Sequence, residues 1–194
     1  MALEVVDGRT IRREKSRQRI IDAIIELVTD GKLEPTAEDV AVLANVTTRT
    51  VFRHFKDMEG LYREIVADMH AETDALRVPF EPDRDWREQF DELVARRTNL
   101  FECYTNRLLL SESLRSRSPA IADEMDVLVS QLREGLKARL PEAIVVDSIA
   151  LASLEVALGW EVWIRLRRDQ GLSVNRARSV VQKLTDSVLT GYAL

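Results

Sequence analysis

The sequence predicts an all-α protein, and three observations carry that prediction. Only seven of the 194 residues are Gly and five are Pro, too few for a fold punctuated by frequent tight turns. Apolar residues recur at intervals of three and four, and no stretch alternates apolar with polar as a half-buried strand would. The hydrophobic content of 45% is ample for a buried core.

The elements follow in order. Ile11, Ile20, Ile21, Ile24, Ile25, Leu27 and Val28 make one face of a first helix, which ends at Gly31, where a residue without Cβ accepts the left-handed conformation. Thr36 stands three residues before Asp39, a capping-box spacing, so a second helix begins near Ala37 with Val40, Leu43 and Ala44 on its apolar face. Asn45 tolerates the left-handed turn that follows. Thr47 caps a third helix through Val51 and Phe55, and Asp57 a fourth through Leu61, Ile65 and Met69. Pro79 and Pro82 break the chain after it. Further helices are expected from Asp85 to Tyr104, Arg107 to Arg115, Ser118 to Leu140, Glu142 to Arg168 and Ser173 to Tyr192, about nine in all. The expected organisation is a three-helix N-terminal domain over 1–56 and a helical C-terminal domain over 57–194, with 57–79 as the connecting helix.

Charge is unevenly placed along this chain. Arg9, Arg12, Arg13, Lys15, Arg17 and Arg19 face a single acid, Glu14, whereas 18 bases meet 24 acids from Asp57 onward. A basic N-terminal segment on an acidic body fits contact of that end with a polyanion, although a solvated helix start would carry the same charges.

The stretch ANVTTRTVFRHF, residues 44–55, sharpens that reading, because it contains no acid at all. The second and third helices have the offsets of a helix-turn-helix: Ala41 is the small residue at their closest approach, Val40, Val46 and Val51 lock the crossing, and Asn45 makes the turn. A helix entering the major groove of DNA exposes its N-terminal residues to base edges and flanks them with phosphate contacts, where an acid would be repelled. Thr47, Thr48, Arg49 and Thr50 at the helix start, then Arg53, His54 and Lys56, are the candidate DNA contacts. Arg17 and Thr36 complete the set.

At this point the sequence resembles the tetracycline-repressor (TetR) family of transcriptional regulators. IIDAIIELVTDG followed by TAEDVAVLANVTTRTVFRHFKDMEGLYREI is similar to that family's helix-turn-helix and the start of its connecting helix, from roughly Arg17 to Ile65. Three positions depart from the pattern: Asn45 replaces the common Gly, Phe52 stands where a phosphate-binding Tyr is often found, and Met58 where Lys is frequent. Phe52 cannot donate a hydrogen bond, so Lys56 is expected to supply that phosphate contact. The resemblance implies a C-terminal body that binds a small molecule, a homodimer formed by the last two helices, a pseudo-palindromic double-stranded operator, and release of a repressor when the effector binds.

Pattern alone supplies candidates within that body. For the ligand pocket they are Trp86, Phe90, Phe101, Tyr104, Leu108, Met125, Trp160 and Trp163, with Tyr104, Asn106 and Glu112 as sources of polarity; a small apolar effector is expected. The penultimate helix is apolar nearly all round, with Leu151, Leu154, Leu158 and Val162 on one side and Ile149, Ala152, Val156, Trp160 and Trp163 on the other. The first set, together with Ala177, Val181, Leu184 and Val188 of the last helix, is assigned to the dimer interface.

An enzyme and a helical adaptor without DNA binding are the competing classes. Two His, one Cys and no glycine-rich phosphate loop give little for catalysis or for a metal site, so no enzyme activity, metal or cofactor is expected. His70 beside acids reads as a solvated helix face, and Cys103 as a small buried apolar residue. The apolar window from Ser148 to Ile164 is interrupted by Glu155 and Glu161 and is too short for a bilayer span. With charges where a signal peptide would be apolar, the cytoplasm is the expected compartment and no membrane is a partner.

Overall fold

In the computed structural model, which describes residues 8–32, 35–65, 81 and 83–192, every regular element is helical. Helix α1 (Gly8–Thr29) ends as its sequence dictates. Gly31 takes φ of 94°, its N–H reaches the Val28 carbonyl at 3.0 Å and that of Lys32 the Leu27 carbonyl at 2.9 Å, the double closure of a Schellman cap. Helices α2 (Ala37–Leu43) and α3 (Thr48–His54) follow, each opened by the threonine expected to cap it, Thr36 and Thr47. Asp57 caps α4 through the Gly60 N–H at 2.7 Å, and that helix runs over 58–65, where the described stretch stops. The remainder of the expected fourth helix, with Met69, His70 and both prolines of the break, lies outside the described residues.

Helix α5 (Trp86–Arg115) is one continuous element of 30 residues, not the two expected. Thr105 and Asn106 read as a break, but the Thr105 hydroxyl donates to the Phe101 carbonyl at 2.6 Å, a back-bond that lets threonine sit inside a helix. Helix α6 (Pro119–Lys137) is capped by Ser118, whose Oγ accepts from the Ile121 N–H at 3.1 Å.

The single helix expected from Glu142 to Arg168 is three helices and a wider turn: α7 (Glu142–Val146), α8 (Ser148–Ala157), α9 (Trp160–Ile164) and a π-helical turn over Arg165–Asp169. Asp147 makes the first break, accepting from the N–H groups of Ile149 and Ala150 at 3.0 Å each. Gly159 makes the second, with ψ of 147°. Helix α10 (Val174–Leu189) closes the series from its Ser173 cap.

Contacts group the chain into two compact units, Met1–Asp68 with Leu109–Met125, and Met69–Leu108 with Asp126–Leu194. These groupings do not coincide with a division at residue 57. The core of the first holds Ile20, Ile21 and Ile24 of α1 without exposed surface, together with Val40, Val51, Phe55 and Leu61; each such side chain contributes about 1.5–3 kcal/mol of transfer free energy. A hydrogen bond from the Ser118 hydroxyl to Glu59 joins distant segments of this unit.

The second unit is centred on α5, α8 and α10. Glu102 of α5 accepts two hydrogen bonds of 2.8 Å from the Arg167 guanidinium and one of 3.1 Å from the Trp163 indole, fixing the π-helical turn. Arg87 pairs with Asp186 and joins α5 to α10. Arg133 of α6 pairs with Glu155 of α8 at 2.9 Å. Among the described residues no helix is long and apolar enough to cross a membrane.

Candidate nucleic-acid interface and ligand cavity

Asn45 builds the turn between α2 and α3. Its φ of 52° lies in the left-handed region, which costs Asn less than other residues bearing a Cβ. There its N–H reaches the Val42 carbonyl at 3.2 Å and the Val46 N–H the Ala41 carbonyl at 2.9 Å, so a second Schellman closure fixes the angle. Val40, Ala41 and Val51 are buried at the crossing and Val46 is half-buried. Leu43, expected on the apolar face of α2, is instead 41% exposed.

The threonines divide by role. Thr36 accepts from the Asp39 N–H at 3.2 Å while the Asp39 carboxylate accepts from the Thr36 N–H at 2.8 Å, the reciprocal bonds of a capping box. A hydrogen bond from Lys32 and then those from Thr36 hold the Asp39 carboxyl well below the ordinary carboxylate range. Thr47 accepts from the Thr50 N–H at 3.2 Å, and the two hydroxyls are 3.0 Å apart. Thr48 is exposed, and the first turn of α3 holds no acid.

The bases divide in the same way. Arg49, Arg53 and Lys56 are exposed. Arg17 pairs with Glu64 of α4 and with Glu14, and its guanidinium lies 5.6 Å from the centre of the Phe55 ring. His54 is half-buried, and its Nε2 is enclosed without a hydrogen-bond partner. Burial first, and then the charges of Arg53, Arg13 and Arg17, push its pKa below the usual histidine value, so the ring is neutral near pH 7.

In the second unit a cavity of about 380 Å³ opens among α5, α6, α8 and α9. Its wall is Arg97, Val129, Leu132, Arg133, Ala152, Glu155, Val156 and the run from Leu158 to Val162, so the break at Gly159 forms one side of it. A shallower apolar depression lies between α8 and α10, lined by Ile149, Ala152, Val156, Val162, Leu184 and Val188 among others.

Residues 20–65 match the model of the bacterial regulatory proteins of the tetR family, and the match covers the turn, both caps and the exposed face of α3. The likeness to that family lies in this N-terminal segment, about a quarter of the chain. No curated protein sequence matches it. Solved structures share its fold over nearly their whole length. A TetR-like transcriptional regulator from Rhodococcus sp. RHA1 is 14% identical, with a TM-score of 0.66, over 91% of this chain and 96% of that one. GusR of Salmonella enterica is 17% identical, with a TM-score of 0.64, over 97% and 98%. The SmeT protein of a SmeT–triclosan complex is 17% identical, with a TM-score of 0.64, over 91% and 90%.

The cavity is not where the aromatic residues pointed. Of the eight expected pocket residues only Trp160 lines it. Phe90, Phe101, Leu108, Met125 and Trp163 are buried core residues. Trp86 and Tyr104 are half-buried, and Arg107 stacks 5.1 Å above the Tyr104 ring. Cys103, expected to be buried, is exposed.

The two sides of α8 are also exchanged relative to expectation. Leu151, Leu154 and Leu158 are buried within their own unit, as are Ala177 and Val181 of α10, so these five are not free for a second subunit. The exposed side carries Ile149 at 76% and Val156 at 67%, beside Leu184 at 43%. Val162 and Val188 are half-buried at its edge.

Arg97 was missed, although its signal is in the sequence. Phe90, Val94, Phe101 and Leu108 occupy a four-and-three stripe on α5, and Arg97 falls on that stripe where an apolar residue belongs.

Proposed function

We propose that this regulator is a dimeric transcriptional repressor whose α3 reads base edges in the major groove, and that a small molecule bound in the cavity of the second unit releases it from its operator. The observation that carries this reading is the outward face of α3. Thr48, Arg49, Arg53 and Lys56 stand exposed with no acid in the helix, while Thr36, Thr47 and Asn45 are occupied in holding the helix rigid. Donors on a fixed scaffold are what base and phosphate recognition require.

Supporting observations come from the body. A mostly apolar cavity of about 380 Å³ falls in the size range of small-molecule sites, and the SmeT neighbour is described in complex with triclosan. The exposed apolar set Ile149, Ala152, Val156 and Leu184, with half-buried Val188 at its edge, suits a self-complementary interface, and a two-fold pair of α3 helices would then address a pseudo-palindrome. In this reading residues 1–56 bind DNA, residues 57–194 bind ligand and partner subunit, and the protein works in the cytoplasm on duplex DNA.

Fluorescence anisotropy against fragments of its own genome, repeated over a salt series, tests the proposal. Several phosphate contacts per subunit give a log–log salt slope of several units, and light scattering should find a dimer at micromolar concentration. A slope near zero, or a monomer that binds DNA equally well, would sink it.

A further inference from the structure

The cavity wall contains two buried donors with nothing to bond. Arg97 is 3% exposed. Among the described residues its one hydrogen bond goes from Nη2 to the Leu132 carbonyl, and its Nε is enclosed without a partner. Among the described residues no carboxylate pairs with it: Glu155 lies 2.9 Å from Arg133, its enclosed Oε1 making no hydrogen bond, and Glu161 is exposed. Burial, and then the nearby charge of Arg139, push the Arg97 pKa down to about 10, while Glu155 offsets part of the shift; the group is still a cation at neutral pH. Trp160 is 5% exposed, and its indole Nε1 is likewise enclosed and unpartnered. Both residues line the same cavity.

A buried cation with no direct ion pair and a buried N–H without an acceptor are both expensive, and structures usually satisfy such groups. An anionic acceptor would answer the Arg97 charge, and the two oxygens of a carboxylate would give each donor a partner. Val129, Leu132, Val156, Leu158 and Val162 give the wall an apolar part that sets the remainder of the ligand, while Arg133, Glu155 and Glu161 complete it with one base and two acids. At about 30 Å³ for a water-sized atom, 380 Å³ admits roughly a dozen non-hydrogen atoms.

We propose that the cavity selects a compact amphipathic monoanion, its carboxylate held by the Arg97 guanidinium and the Trp160 indole N–H and its hydrocarbon body laid on the Val and Leu wall. The inference rests on reading this cavity as the effector site and changes the class of effector from an apolar molecule to an apolar acid.

Titration calorimetry with octanoate, octanol and octylamine, equal chains with different head groups, tests it on the full-length protein. Octanoate should bind at least about tenfold more tightly than octanol, the loss expected when a charge-assisted pair is replaced by a neutral contact, and octylamine should bind most weakly. Arg97→Met removes a buried charge while keeping volume, so it should melt no lower than the wild type and bind octanoate and octanol alike. Trp160→Phe should weaken octanoate several-fold and leave octanol unchanged.

Equal binding of octanoate and octanol to the wild type, or a carboxylate preference that survives Arg97→Met, overturns the anion assignment while leaving a ligand cavity in place. Binding of none of the three overturns both the assignment and the cavity as effector site. Octanoate that binds with the stated preference but leaves DNA affinity untouched upholds the anion site and removes its effector role.

Discussion

Residues of one chemical kind serve opposite purposes within the first sixty positions. Arg17 and Thr36 are turned into the chain, one against Glu64 and Phe55, the other into its own capping box, whereas Arg49 and Lys56 are turned out. Arg49→Ala should therefore relax preference at one base position and cost about 1–3 kcal/mol if it reads a guanine, while Lys56→Ala weakens all sequences alike. Binding-site selection on both variants checks this, and identical, sequence-independent losses would remove Arg49 as a reader. His54 behaves differently again. Its folded pKa lies below 6.5, so the unfolded chain takes up a proton first as pH falls; stability is full above that value and declines as pH drops through the folded pKa. Thermal melts between pH 7.5 and 5.5 should show a smaller decline for His54→Gln than for the wild type. The caps were legible in the sequence because a cap is a local event, three residues long. The Arg17–Glu64 pair spans 47 residues, and no local pattern announces it.

At the scale of helices, legibility fails where two faces look alike. Helix α8 is apolar on both sides, and its sequence cannot say which side its own unit will take. Packing within the unit decides it: Leu151, Leu154 and Leu158 are buried, and Ile149, Ala152 and Val156 face outward. The length of the element was hidden for a related reason. A single Gly159 and an Asp147 that also suits a surface helix were weak stops against a long apolar run, yet together they end α8 at both ends and create one side of the cavity. Opposite outcomes are expected from the two faces. Val156→Glu should leave the monomer folded and abolish dimers in analytical ultracentrifugation, because it places a charge in a proposed apolar interface. Leu154→Ala, at a position with no exposed surface, should cost about 2–5 kcal/mol of stability and keep whatever oligomer remains folded. A Val156→Glu protein that still dimerises would move the interface elsewhere.

For the molecule as a whole the question is how an occupied cavity could change DNA affinity. Helix α6 offers a physical route. Its first residues belong to the unit that contains α2 and α3, and its cap Ser118 donates to Glu59 of α4 there. Further along the same helix, Val129, Leu132 and Arg133 are cavity wall in the other unit. If this helix of 19 residues, about 28 Å at 1.5 Å per residue, moves as one body, a ligand that displaces the wall would also act on the Ser118–Glu59 contact. A ligand shifts the equilibrium only by its differential affinity for the two states, and a coupling of roughly 1–3 kcal/mol would weaken operator binding about 5- to 150-fold. Glu59→Ala touches neither the cavity nor the exposed face of α3, and it leaves the Ser118 cap in place. It should keep operator affinity without ligand and octanoate affinity without DNA close to the wild-type values, yet reduce the coupling between them by about 0.5–2 kcal/mol. Reciprocity supplies an internal check, since operator DNA must weaken octanoate binding by the same factor by which octanoate weakens operator binding. Measuring all four affinities closes the cycle for each protein. Unchanged coupling in Glu59→Ala would exclude this contact as the route, and equal octanoate affinity for free and operator-bound wild type would show that the cavity does not regulate DNA binding at all.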